Sequence, residues 1–187
     1  ITTLFQQGDE YEKEAILKGL PLLDKKGELV TLAEDSCRTN IITLFTAVSQ
    51  NNPYPAHYFS EGIYNQMVLK SLFLDINIEA IVGLRERVNA SMSRMCFDYA
   101  RERIAADRRV PASIWLTINL TLLPQALPLF KQYIAHENSQ HRLYIALSLS
   151  WQEPSAFLTS ELTNDITQRI SKETDAAILT LLRAIPQ

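Results

Sequence analysis

The sequence predicts an all-α fold. Apolar residues recur at helical spacing along most of the chain. Only 5 Gly and 8 Pro occur, too few for a turn-rich β architecture. One segment alternates at strand period, and no second convincing strand exists to pair with it, so its backbone groups would be left unsatisfied in a sheet. At 187 residues the chain is long enough for a full core, and a single helical domain over 1–187 is expected.

The periodicity predicts helices near 9–24, 27–36, 37–50, 60–75, 77–84, 89–108, 111–122, 124–135, 139–151, 155–170 and 173–185. Asn51-Asn52-Pro53 and Pro55 stop one helix and set an extended loop, because residues before proline avoid the α region. Asn89 is positioned to cap the long helix after it. The ambiguous segment holds Ile114, Leu116, Ile118, Leu120 and Leu122 alternating with Thr117, Asn119 and Thr121, and is read as helix.

A weak internal repeat gives two arrangements of these helices. Ala15–Leu22 (AILKGLPL) matches Met67–Leu74 (MVLKSLFL), and Arg38-Thr-Asn40 matches Arg87-Val-Asn89, both at offsets near fifty residues. That period fits stacked helical hairpins, a HEAT- or armadillo-like array. An irregular helical bundle is the alternative.

Composition narrows the function. A net charge of −3 gives no footprint for nucleic acid. No apolar run is long enough for a membrane span. Cys37 and Cys96 sit in apolar helical pattern and read as core thiols, not as a disulfide frame. The chain begins with Ile1, which reads as a trimmed N-terminus and leaves a lost leader peptide open; the expected compartment is the cytoplasm. Neither HExxH nor ExxH occurs, and His136 and His141 are poorly spaced as ligands on one helix face, so no metal is expected. Phosphate-loop, dinucleotide and nucleophile-elbow motifs are missing, as is an acidic diphosphate-binding cluster, so no cofactor is expected. A binding or scaffold role therefore ranks above an enzyme.

Candidate site residues are polar groups in apolar helical pattern, where burial demands partners. On helix 89–108, Arg94, Asp98, Arg101 and Glu102 share a charged arc, with Asp98 placed to bridge two arginines. Arg103 falls in the apolar arc beside Cys96 and Tyr99; a guanidinium there needs an acid or an anionic ligand. Helix 60–75 is apolar nearly all round, with Asn65, Gln66 and Lys70 as exceptions; Lys70 is a snorkelling cation, an anion anchor or a reactive amine. Arg38 and Asn40 brace the start of helix 37–50 or turn toward a ligand. Asn52, Tyr54 and His57 lie in the proline-bounded loop, His57 as a surface cap or a ligand contact.

Five blocks carry a family resemblance: CRTN at 37–40, NNPYPAHYF at 51–59, NQMVLKSLF at 65–73, IVGLRERVN at 81–89 and RMCFDYARERIAADRRVP at 94–111. Together they resemble the EboA family, over about residues 10–120. Members are encoded in bacterial clusters beside a prenyltransferase-like protein, an isomerase/epimerase-like protein and a TatD-like hydrolase. The resemblance implies a role in handling or exporting a hydrophobic secondary-metabolite precursor, with that small molecule or cluster-encoded proteins as partners. It transfers no catalytic residue. The family pattern reads AAGR where this chain has Ala105-Ala-Asp-Arg108, so Asp107 replaces a flexible glycine at a helix end and offers a salt-bridge partner. The competing reading is an enzyme acting on such a metabolite through Lys70 or His57 with an acid such as Asp98 or Glu102. The blandest is a structural protein in which each polar group braces helix to helix.

Overall fold

The computed structural model describes residues 1–154 and 159–185, with the Ser160 side chain outside the description. The described residues are helical with no strand, and fall into two compact units, Ile1–Arg87 and Val88–Gln187.

The first unit holds α1 (Thr2–Gln7), α2 (Glu10–Leu23), α3 (Val30–Cys37), α4 (Ile42–Ser49), α5 (Tyr54–Tyr58), α6 (Glu61–Phe73), a 3-10 turn Ile78–Ala80, and α7 (Leu84–Arg87). Helix α2 starts sharply because Asp9 and Glu12 form a reciprocal capping box. It packs on α4, as does α3, around Leu17, Leu20, Phe45 and Val48. After α2 the chain turns about the Asp24 carboxylate, which accepts from the backbone N–H groups of Lys26, Gly27 and Leu29 and from the Tyr54 hydroxyl. Gly27 sits at φ +77, and a Cβ there would meet the Tyr58 ring at 2.6 Å. Helix α6 buries Tyr64, Asn65, Met67, Val68 and Leu72, but its apolar pattern overstates its burial, since Phe73 and Leu74 at its end are exposed.

Three expectations need correction here. The helix expected over 37–50 begins at Ile42, because α3 runs on through Cys37 and closes with tight bonds from Arg38 N–H to Asp35 and from Thr39 N–H to Ser36. The loop expected over 51–59 contains α5. Pro55 is tolerated in its first turn, where an amide has no intrahelical partner to lose, and Asn52 Oδ1 accepts the Tyr54 N–H. The helix expected over 77–84 is a 3-10 turn followed by α7. Helix α1, which buries nothing, had no periodic signal.

The second unit holds α8 (Ala90–Ala105), 3-10 turns Ala112–Thr117 and Pro124–Ala126, α9 (Leu127–Tyr133), α10 (Ser139–Ser150), α11 (Ser160–Lys172) and α12 (Ala176–Ala184). Asn89 caps α8 as expected, accepting from Met92 N–H at 2.8 Å. Helix α10 packs on Ala112–Thr117 and on α12, burying Ile114, Trp115, Ile145 and Leu149. The helix expected over 155–170 starts at Ser160; residues 155–158 lie outside the described residues.

The ambiguous 111–122 segment is neither the expected helix nor a strand. After its 3-10 turn it runs extended at Ile118, fully buried. Side chains from α8 and from the turn after α10 satisfy its backbone. Ser93 Oγ donates to Thr117 O at 2.9 Å and accepts from Asn119 N–H. Gln152 accepts from Leu120 N–H at 2.6 Å and donates to Ile118 O at 3.2 Å. The accounting that excluded a lone strand is met by long-range side chains.

The matching RxN triplets do different work. Arg38 ends α3 and pairs with Asp35, whereas Arg87 ends α7 and reaches three carbonyls.

Candidate functional site

Helix α6 presents Gln66 and Lys70 one turn apart on a single face, beside the end of α3. Lys70 is half-buried, and its ammonium donates to Cys37 O at 2.8 Å and to Thr39 O at 2.6 Å. It also stands 4.8 Å from the centre of the Phe45 ring. The cation thus sits on the negative end of α3 and over an aromatic face. Two of its three N–H bonds are used, which leaves one. Among the described residues no carboxylate forms a salt bridge with it.

Beside Lys70 runs a groove of about 280 Å³ lined by Glu34, Cys37, Arg38, Ile63, Gln66 and Met67. Ile63, Met67 and Cys37 make an apolar wall, while Arg38, Gln66 and Lys70 supply donors. Arg38 is exposed and pairs with Asp35 in the same turn. Burial pushes the Cys37 thiol up to about 12, so it contributes apolar surface and no thiolate.

The structure therefore brings Arg38, Gln66 and Lys70 to one groove. Asn40 is exposed in the link between α3 and α4, one residue past the Thr39 carbonyl that Lys70 holds. Asn65 is buried in α6. Asn52 is a buried brace, with Nδ2 donating to Leu17 O and Ala47 O, both at 3.0 Å. Tyr54 is buried and donates to Asp24 at 2.5 Å; burial and that carboxylate hold its hydroxyl protonated. His57 is exposed, does not line the groove, and places Nδ1 2.8 Å from Pro53 O.

Asp98, Glu102 and Arg103 belong to the second unit, where Asp98 and Glu102 are exposed. The buried, acid-paired Arg103 expected from the helical wheel is a correction. Its side chain is half-exposed, donates from Nε to Arg109 O at 2.8 Å and lies 5.8 Å from the Tyr99 ring. A carbonyl of the segment after α8, and no acid, takes its Nε–H.

Two arrangements escaped sequence reading. Arg87 donates to Pro55 O and Ala56 O, both at 3.0 Å, and to Phe59 O at 2.8 Å, clamping the end of α5 while covering the Tyr64 ring at 4.2 Å. Its signal was an arginine following an X-Pro-rich block, which spacing alone does not connect. In the second unit, Trp115, Tyr133, His136 and His141 form a ring cluster, with His136 stacked on Tyr133 and 4.5 Å from His141. His136 Nδ1 accepts from Asn138 N–H, and His141 Nδ1 from the Trp115 indole. Among the described residues no group of three or more His, Cys, Asp or Glu side chains could hold a metal ion, and no helix is long and apolar enough to cross a membrane.

Residues 1–119 match the family model described as metabolite traffic protein EboA. The chain belongs to the EboA family. The match contains the whole first unit with its Lys70 groove, the Arg87 clamp and α8, and extends the sequence resemblance to the first residue. Helices α9–α12 lie beyond it. Neither a curated protein nor a solved structure matches the chain. Asp107, which the resemblance set against a glycine, adopts φ +52 where α8 ends. A left-handed residue is what a glycine there would serve.

Proposed function

We propose that this EboA-family chain is a non-enzymatic carrier that holds a hydrophobic metabolite through a polar or anionic end in the groove between α3 and α6. The observation that carries the reading is the half-buried Lys70 ammonium, with one unspent N–H and no salt-bridged carboxylate among the described residues, beside an apolar wall. A carbonyl, phenolate or carboxylate of the ligand takes that N–H, Gln66 and Arg38 flank it, and the apolar body lies on Ile63 and Met67. Release requires no bond-making, which suits handing the molecule to a cluster-encoded partner. His57 stands outside the groove, and Lys70 is engaged as a helix-end donor with no salt bridge to Glu34 on the groove wall, which favours holding a ligand over acid–base work.

Native mass spectrometry after co-expression with the neighbouring cluster genes tests this. The wild type should carry a small-molecule adduct. Lys70→Met, which keeps the aliphatic stem, should lose it, and Gln66→Leu should weaken it. An adduct that persists in the Lys70→Met, Arg38→Gln double variant, or no adduct in the wild type, would remove the groove as the binding site.

A further inference from the structure

A second cavity in the first unit has different chemistry. It measures about 390 Å³, lies between α2 and α4, and is lined by Glu14, Lys18, Thr43, Thr46, Gln50 and Asn51 above the buried Asn52. That volume falls within the ~300–1,000 Å³ of small-molecule sites. Its two charges cancel, since Lys18 Nζ lies 2.6 Å from Glu14 Oε1. No uncompensated cation is left to draw an anion, and no aromatic ring lines it to stack a flat ligand.

What remains is hydroxyl and amide capacity. Thr43 donates to Glu10 and Thr46 to Ile42 O, so both hydroxyl oxygens keep lone pairs for incoming donors. Asn51 adopts the left-handed region at φ 51, which asparagine tolerates, and its backbone N–H bonds Ala80 O at 2.7 Å, so its main chain is anchored at the cleft. Asn52 spends both Nδ2 hydrogens on Leu17 O and Ala47 O, while Oδ1 accepts only from Tyr54 N–H and keeps a second lone pair. The threonine oxygens offer acceptors, and the amides of Asn51 and of Gln50, whose Nε2 already lies 3.5 Å from Ser49 Oγ, supply both donors and acceptors.

We propose that this cleft binds a small, uncharged polyhydroxylated ligand of the sugar or polyol class, donating hydroxyl hydrogens to Thr43 and Thr46 and accepting from Gln50 and Asn51, over a floor braced by Asn52. The site is independent of the Lys70 groove, and neither proposal depends on the other.

The test is a proton–nitrogen NMR titration of the full chain with myo-inositol, glucose and sucrose. Glucose 6-phosphate and hexanoate serve as charged and apolar counterparts. At least one neutral polyol should shift the Gln50 and Asn51 side-chain amides saturably. The shape-conserving Thr46→Val, Gln50→Leu variant should weaken that binding by at least about tenfold, since two neutral hydrogen bonds are lost. Its circular dichroism should match the wild type. No saturable shift with any of the three polyols, equal shifts in the variant, or tighter binding of glucose 6-phosphate or hexanoate would overturn the proposal.

Discussion

Trp115 donates its indole N–H to Nδ1 of His141 across 2.9 Å, inside the core of the second unit. The bond fixes the tautomer: Nδ1 is an acceptor, so neutral His141 carries its proton on Nε2. Protonating Nδ1 would set two donors against each other. Burial, with His136 and Arg109 nearby, lowers the His141 pKa to about 4.

This predicts acid sensitivity with a defined window. The unfolded chain binds the His141 proton below pH ~6.5, whereas the folded chain resists until about 4. The contribution is therefore full above pH ~6.5 and is lost as pH falls toward 4, by about 3 kcal/mol. Urea denaturation at stepped pH should show that slope. His141→Asn, which keeps an acceptor for Trp115 but cannot titrate, should flatten it.

Glu173 predicts a second, more acidic limit. Its carboxylate, with a fully buried side chain, accepts from Arg142 at 2.8 and 3.1 Å and from the N–H groups of Thr174 and Asp175, with Arg169 Nε 3.0 Å away. The Arg142 bond leads in holding its pKa near 2, against the opposing cost of burial. The stabilisation is present above pH ~4.5 and lost as pH falls through 2. Glu173→Gln leaves two arginines short of their anion and should cost about 3–5 kcal/mol at pH 7, read by denaturant midpoint.

Asp107 predicts a gain instead. Its φ of +52 is costly for a residue with a Cβ and natural for glycine. Asp107→Gly should stabilise the chain by about 0.5–1 kcal/mol, visible as a raised melting temperature. Asp107→Val should do the reverse.

Long helices were legible because apolar period and terminal signals agree: α2, α6, α8 and α10 lie within a few residues of expectation. The 111–122 segment was not, since its backbone partners, Ser93 and Gln152, come from 24 to 34 residues away. The site was half legible. Gln66 and Lys70 share a face by simple spacing, yet Lys18 and Lys70 occupy matching octapeptides with opposite fates, one a surface partner of Glu14 and the other a cap on α3. Arg103 misled because a helical wheel treats an arc as uniformly buried. Ile104, its neighbour near the end of α8, is already 36% exposed.

Arg87 should matter to stability more than its half-buried position suggests. Its bonds to Ala56 and Phe59 satisfy carbonyls at the end of α5, and a third reinforces Pro55 O, which already accepts the Phe59 N–H. Arg87→Ala should cost about 2–4 kcal/mol by urea denaturation. Arg87→Lys should recover part of that, because the charge remains while the planar fork does not.

Lys70 separates stability from binding by the way its bonds divide. Two N–H groups serve Cys37 O and Thr39 O, and the carrier reading assigns the third to the ligand. Lys70→Ala removes the cap, the contact with Phe45 and the stem, and should lower stability by about 2 kcal/mol. Lys70→Met restores the stem and should recover part of that loss while leaving the groove without its cation. Lys70→Arg keeps the charge but not the compact ammonium that fits both carbonyls. If the carrier reading holds, ligand retention should follow Lys > Arg, with Met and Ala equally empty because both lack the cation, whereas stability should still rank Met above Ala. Denaturation midpoints and adduct intensities measured on the same four proteins distinguish the two orders; a ligand signal that merely tracks stability would reduce Lys70 to a brace.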